Sequence, residues 1–375
     1  MQKIQMVDLF HQYQHIQSEI DKKLIEVVQS SAFINGPEVK SFQSELEDYL
    51  DVKHVIPCAN GTDALQIALM ALDLQPGDEV ITANFTFAAT VEVIDLLKLK
   101  SVLVDVNPDD FTIDTQAIEN AITDKTKAII PVHLFGQCAN MDTIMDIAVR
   151  HNLYVVEDTA QAIGSDFTFA DGTVRKAGTM GHIGTTSFFP SKNLGCYGDG
   201  GAIFTNDDDL AYRMRGIVNH GMYERYYHDE VGVNSRLDSL QAAVLRIKLP
   251  HLNDYNAKRR TAANFYDTAF KNHPKIQTPF RREDSKHVFH QYTLKVAEKR
   301  NELQQFLSEK GIPAMIYYPV PLHKQKAYDH GEYRDEQFPV TMELIDQVIS
   351  LPMHTELTDE QLHYITESIK EFYHD

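Results

Sequence analysis

The sequence predicts an α/β fold: a mostly parallel sheet in a large domain over residues 1–250, with a smaller C-terminal α+β domain over 251–375. Three observations predict it. Between about residues 53 and 158, short apolar runs of strand length alternate with segments of helical periodicity, the pattern of a parallel sheet covered on both faces. After Gly178 the rhythm changes to strand candidates flanking a glycine-rich turn. The last third is more polar, with shorter strand candidates. A chain of 375 residues, 43% hydrophobic and 24% charged, has the length and apolar content for such a pair of domains.

In chain order, Ile20, Leu24, Val27 and Val28 recur at helical spacing, before a break over 33–36. Pro37 suits the first turn of a new helix, and Phe42, Leu46 and Leu50 give that helix an apolar face. Strands are expected over 55–59, 79–83, 101–106, 127–133 and 153–158, and helices over 62–72, 87–97, 115–121 and 141–151. The helix over 62–72 places Leu65, Ala68, Leu69 and Leu72 on one side. Further strands are expected over 185–189 and 201–205, then one long helix over 236–270 broken or bent at Pro250. A strand over 291–296 belongs to the smaller domain. In a sheet of this kind, sites form at the carboxyl ends of the strands.

The formal net charge of −19 argues against a nucleic-acid binder, which would carry a basic stripe, but not against a small anionic substrate held by local donors. The three cysteines, Cys58, Cys138 and Cys196, are scattered and read as small core residues, with no disulfide framework or metal site. The start, Met1-Gln2-Lys3-Ile4-Gln5-Met6-Val7-Asp8, has no apolar signal region, and no apolar run reaches the roughly 20 residues needed to cross a bilayer. A soluble cytoplasmic protein with no membrane partner is expected.

Three segments carry chemistry. In Phe188-Phe189-Pro190-Ser191-Lys192-Asn193-Leu194-Gly195, followed by Gly198-Asp199-Gly200-Gly201, a lysine stands between an apolar strand and a glycine-dense turn. It reads either as a surface loop lysine or as an amine that attacks an aldehyde. The second role needs a desolvated site that lowers its pKa, and close backbone approach. Asp158 ends the apolar strand 153–158 and reads either as a turn or N-cap residue or as a carboxylate paired with a cofactor's pyridinium nitrogen. Asn60-Gly61-Thr62-Asp63 opens a helix, either as an ordinary N-cap or as an anion-binding turn. No Walker loop or GxGxxG follows a strand, so a nucleotide hydrolase or dinucleotide fold gains no support.

In this order, seven segments resemble the nucleotide-sugar aminotransferases of the aspartate-aminotransferase architecture, which are fold-type I pyridoxal-phosphate enzymes. They are Asn35-Gly36-Pro37-Glu38-Val39, Ala59-Asn60-Gly61-Thr62-Asp63-Ala64-Leu65, Glu157-Asp158-Thr159-Ala160-Gln161, Ser187-Phe188-Phe189-Pro190-Ser191-Lys192, Gly198-Asp199-Gly200-Gly201, Asn234-Ser235-Arg236-Leu237-Asp238 and Tyr318-Pro319-Val320-Pro321-Leu322-His323. The resemblance spans nearly the whole chain. It implies pyridoxal 5′-phosphate as cofactor, with pyridoxamine 5′-phosphate as the intermediate form. It makes Lys192 the Schiff-base lysine and proton shuttle, Asp158 the partner of the ring nitrogen, and Gln161 a contact of the ring hydroxyl. Phe87 would stack on the ring or serve as plain core packing. Gly61, Thr62 and Ser187 would hold the phosphate, with Asn234 reaching in from the second subunit of a homodimer with shared sites. L-glutamate would give up its nitrogen and leave as 2-oxoglutarate, and a nucleotide-linked keto-sugar would receive it. Related sugar dehydratases carry histidine where Lys192 stands, so the lysine favours transamination.

The wording 58–67, 195–204 and 231–236 is most similar to enzymes acting on UDP-2-acetamido-2-deoxy-3-oxo-glucuronate. There the residue matching Arg236 meets the sugar carboxylate, a pairing that suits a guanidinium fork. Arg236 otherwise reads as a helix-start residue in the subunit interface. Tyr317 stands where part of that group has histidine, next to Tyr318, and either hydroxyl is able to bond the sugar. His220 and His323 read either as structural histidines or as part of the same cleft. A dTDP-linked 3-keto sugar, a UDP- or GDP-linked 4-keto-6-deoxy sugar, and a non-catalytic regulator that keeps the fold are the alternatives.

Overall fold

A computed structural model describes residues 3–329 and 331–373; Met1 and Gln2 of the N-terminal segment read above lie outside the described residues. Its centre is a seven-stranded sheet built from β1 (His54–Cys58), β2 (Glu79–Ala83), β3 (Lys100–Val104), β4 (Thr126–Ile130), β5 (Tyr154–Asp158), β6 (Ile183–Ser187) and β7 (Gly201–Thr205). The strand order is β1-β7-β6-β5-β4-β2-β3, and β7 alone runs antiparallel to its neighbours β1 and β6.

Neighbouring residues on the central strands feed opposite cores, as a two-sided sheet requires. Ile81, Ile129 and Val155 pack on one face, where the helix Met141–His151 contributes Ile144 and Ile147. Val80, Ala128, Ile130 and Val156 pack on the other, against Leu65, Ala68 and Leu69 of the helix Gly61–Ala71 and Met214 and Ile217 of the helix Asp208–Ile217. All three cysteines are buried and free.

The expected break at Pro250 is present: the helix Ser239–Lys248 passes through a single 3-10 turn, Leu249–His251, into the helix Leu252–Ala269. A three-stranded antiparallel sheet, Ile276–Gln277, Tyr292–Val296 and Val348–Leu351, shares a separate core with the helices Arg300–Glu309 and Asp359–Tyr373. Ile4 also packs into that core, so the start of the chain crosses to it.

The first helix, Leu9–Ser30, buries Ile16, Ile20 and Val27, but Val28 is 55% exposed and Ile25 57% exposed. Val28 therefore does not belong to the monomer's core, contrary to the helical spacing. No helix of the described residues is long and apolar enough to cross a membrane.

Candidate active site

Side chains and turns from the carboxyl ends of β1, β2, β4, β5 and β6, with the turn entering the antiparallel β7, converge on one cavity of about 530 Å³. This is the edge at which parallel sheets build sites, and the antiparallel β7 brings its amino end, preceded by Asp199, to the same edge. Gly61, Thr62, Phe87, Asp158, Gln161, Ser187, Lys192, Tyr317 and Tyr318 all line it.

Lys192 sits in a tight turn, its N–H donating to the Phe189 carbonyl at 2.8 Å. Gly195 lets that turn close: a Cβ there would lie 2.3 Å from the Pro190 carbonyl oxygen. Burial pushes the Lys192 ammonium down to about 8, partly opposed by the Asp158 carboxylate. The residue is only half-buried because it faces an open cavity. A fraction of neutral amine near neutral pH is the state a nucleophilic lysine needs.

Asp158 is held on both oxygens, one accepting from the Thr90 hydroxyl at 2.9 Å and the other from the Ala160 N–H at 3.1 Å. Its neighbour Glu157 points to the opposite side and fixes the end of β5. It is fully buried and accepts from His133 Nε2 at 2.8 Å and from the Gly178, Met180 and Gly181 N–H groups at 2.9, 2.7 and 2.6 Å. The orientation of the Gln161 amide follows from its partners. Its oxygen accepts the Phe135 N–H at 2.7 Å, so its nitrogen donates to the Tyr318 hydroxyl at 3.1 Å and keeps a second hydrogen to offer. Tyr318, used there as an acceptor, has its own O–H to give.

The helix Gly61–Ala71 starts at the cavity wall. The Asn60 side chain accepts the Asp63 N–H at 2.8 Å, leaving the Gly61 and Thr62 N–H groups, which no helical bond uses, for a ligand. A Cβ on Gly61 would lie 2.7 Å from the Ser187 Cβ, so only glycine lets the helix start approach the end of β6 this closely. Gly61→Ala is expected to push these two edges apart and weaken phosphate binding by about tenfold or more, read by titrating the cofactor into the cofactor-free protein. Unchanged affinity would remove Gly61 from the phosphate site.

Phe87 is 57% exposed and lines the cavity, with the Tyr318 ring 6.2 Å away, so it is wall rather than core. The Thr86 hydroxyl beside it is buried at the cavity wall with no hydrogen-bond partner among the described residues.

Four expected site residues lie elsewhere in the single chain. Asn234 is exposed and, among the described residues, pairs through a backbone bridge with Asn219. Arg236 is half-buried, does not line the cavity, and makes no hydrogen bond or ion pair among the described residues. His220 is exposed beside a hairpin, its carbonyl accepting from His228 Nδ1 at 2.9 Å. His323 does not line the cavity: its Nδ1 takes a hydrogen from Asn84 at 2.8 Å and its Nε2 meets Asp335 at 3.0 Å. Both ring nitrogens are used, so His323 anchors the segment after the two tyrosines to the end of β2. Thr86, Thr90, Asp199, His290 and Gln291 were not foreseen. Isolated threonines and a lone histidine have no distinctive spacing, and only the fold brings them to the site.

The residues suit a phosphorylated pyridine aldehyde: free N–H groups at a helix start, a fixed acid, an amide donor, and an amine of lowered pKa share one cavity. Comparison with known proteins agrees. The model of the DegT/DnrJ/EryC1/StrS aminotransferase family matches residues 14–370. The chain is 47% identical over 99% of its length to a Geobacillus stearothermophilus pleiotropic regulatory protein, covering 98% of that protein. It is 44% identical over 96% of its length to the UDP-2-acetamido-2-deoxy-3-oxo-D-glucuronate aminotransferase of Pseudomonas aeruginosa, covering 98% of that protein. The S. venezuelae DesV structure in complex with a ketimine intermediate is 36% identical with a TM-score of 0.96, each chain covered in full. The structure of NtdA from Bacillus subtilis with bound cofactor PMP is 33% identical with a TM-score of 0.87, covering 99% of this chain and 83% of that one.

Proposed function

This chain belongs to the DegT/DnrJ/EryC1/StrS aminotransferase family and is a pyridoxal-phosphate-dependent sugar transaminase; from that premise we propose that it aminates the C3 ketone of UDP-2-acetamido-2-deoxy-3-oxo-glucuronate, with L-glutamate as donor. The observation that carries the site assignment is that Lys192, Asp158 and the start of the helix Gly61–Ala71 share one cavity.

The cofactor, when bound, supplies an aldehyde that takes up nitrogen and a cationic ring that draws electrons from the carbon losing its proton. Asp158 holds the proton on the ring nitrogen, and its two fixed oxygens keep it aimed. Gln161 donates its free hydrogen to the ring hydroxyl. Gly61, Thr62 and Ser187 hold the phosphate, and Phe87 covers the ring. Lys192, as neutral amine, takes the proton from the donor's α-carbon and returns one to the sugar carbon. Tyr317 and Tyr318 flank the sugar.

Among the described residues Lys192 is the one cationic side chain on the cavity wall, while Asp158 and Asp199 are acidic. A sugar carboxylate therefore needs a cation from outside, and Arg236, without a partner among the described residues, supplies it from a second copy. Asn234 reaches the phosphate from the same copy, and the exposed Ile25 and Val28 support such a homodimer. Localisation in the cytoplasm, where the nucleotide sugar is made, belongs to this reading.

The acidic single-chain wall also favours a second reading, an uncharged 3-keto or 4-keto-6-deoxy sugar. A substrate panel separates the two. The uronic acid should exceed its C6-alcohol counterpart in kcat/KM by about ten- to a hundredfold, and Arg236→Ala should abolish that preference. A panel in which the uronic acid is inert and a 6-deoxy sugar is aminated refutes the first reading.

A further inference from the structure

His290 is a buried cavity residue that the assignments above leave unused. Its chemistry is set by its neighbours. The side-chain nitrogen of Asn193 donates to the Val288 carbonyl at 3.0 Å and to Asn256 Oδ1 at 2.7 Å. A carbonyl only accepts, so the Asn193 amide is oriented with its oxygen toward His290 Nδ1, 3.4 Å away. An amide oxygen only accepts as well, so the imidazole proton stands on Nδ1. Asn256 in turn donates to the Ile163 carbonyl at 3.2 Å, which fixes the far end of the relay. Asn193, Asn256 and His290 are each at most 6% exposed. Among the described residues the Nε2 lone pair meets only the Gln291 amide nitrogen, at 3.5 Å, the limit of a hydrogen bond, and the residue lines the cavity.

We propose that His290 is a positioning residue for Lys192: the Asn193–Asn256 relay locks its imidazole as the Nδ1–H tautomer, so that Nε2 accepts a hydrogen bond from the lysine ammonium whenever that amine is free. Asn193 directly follows Lys192, so the same relay holds the turn that carries the lysine. The charged groups facing the pair are few. Burial, helped by the charges of Lys192 and Arg259, drives the imidazole far from protonation, and the Asp158 charge acts on Lys192. Arg259 itself donates to the carbonyls of Phe289, His290 and Met353 at 3.2, 3.3 and 3.0 Å and so fixes the backbone at His290. A ring that stays neutral and offers only a lone pair is suited to hold an ammonium, not to exchange its proton.

The inference rests on Lys192 being the reactive amine, but its test is independent of turnover. In the ¹⁵N spectrum of the full-length protein, with His290 assigned by its absence in His290→Gln, Nδ1 should be protonated and Nε2 bare from pH 6 to 9. A proton on Nε2, or a cationic ring in that range, overturns the proposal. The second measurement uses protein loaded with pyridoxamine 5′-phosphate, in which the lysine is free. The pH dependence of Lys192 acetylation by acetic anhydride is followed by mass spectrometry. In His290→Leu the labelling midpoint should fall by about half a pH unit or more, because the ammonium loses an acceptor, and His290→Gln should restore most of it. A merely structural role would admit water and raise the midpoint. An unchanged or raised midpoint in the leucine variant, or no recovery with glutamine, overturns the proposal. If Lys192 is not the reactive amine, Lys192→Ala retains activity whatever the tautomer shows.

Discussion

Lys192→Ala is expected to abolish the formation of 2-oxoglutarate from L-glutamate, by on the order of 10⁴-fold or more, while leaving the protein at least as stable as before. The two halves of that expectation have one cause. Burial sets the lysine's pKa in the folded state near 8, below its ordinary value of 10.5. A group whose folded pKa is depressed contributes stability only above its unfolded pKa, and loses it as the pH falls through the folded value. At neutral pH the protein therefore maintains a cation in a place that disfavours it, and removing that cation should not lower the melting temperature. Above about pH 10.5 any advantage of the variant should disappear. Thermal melts of the cofactor-free proteins at pH 7 and 10.5, beside a glutamate-dependent assay of the loaded enzymes, check both. Borohydride treatment should fix the cofactor covalently to the wild-type chain and not to the variant, as mass spectrometry reads. The same measurement bears on the alternative of a non-catalytic regulator. Wild-type turnover in Lys192→Ala would refute the assignment.

The central sheet was legible because buried parallel strands are near-continuous apolar runs, and because their helices bury one face. The apolar stretches at 80–81, 128–130 and 155–156 are its cores. The break at Pro250 was legible for a different reason, since a missing N–H leaves a mark at one position. The insertion of β7 antiparallel between β1 and β6 was not legible, because a fully buried strand has no polar alternation from which to read its direction or neighbours. Within the site, Lys192, Asp158 and Gly61-Thr62 stood out because each carries its chemistry in a local pattern. Thr90 and His290 did not, because their roles arise from contacts between residues 68 and 97 positions apart. His323 misled because a histidine beside a tyrosine pair has the same residue types whether it faces a ligand or, as here, spends both nitrogens on Asn84 and Asp335.

Asp158→Asn is expected to cost on the order of 10²- to 10³-fold in kcat/KM with little change in melting temperature. The amide preserves the local geometry. Its oxygen still accepts the Ala160 N–H, and its nitrogen donates to the Thr90 oxygen once that hydroxyl rotates. What disappears is the negative charge, and with it the force that keeps the ring nitrogen protonated. Asp158→Ala should differ by leaving a buried hydroxyl and N–H without partners, at a cost of about 1–3 kcal/mol in stability. The two variants thus separate shape from charge. A second separation follows from the lysine. Asp158 opposes the fall of the Lys192 pKa, so removing its charge should lower that pKa further and leave more neutral amine at pH 7. Lysine acetylation at neutral pH should then speed up in the same variant whose turnover collapses. That opposition excludes a protonated lysine as the cause of the loss and leaves the ring nitrogen as the place where Asp158 acts. If acetylation slows in step with turnover, Asp158 works through the lysine, and its pairing with the ring is wrong.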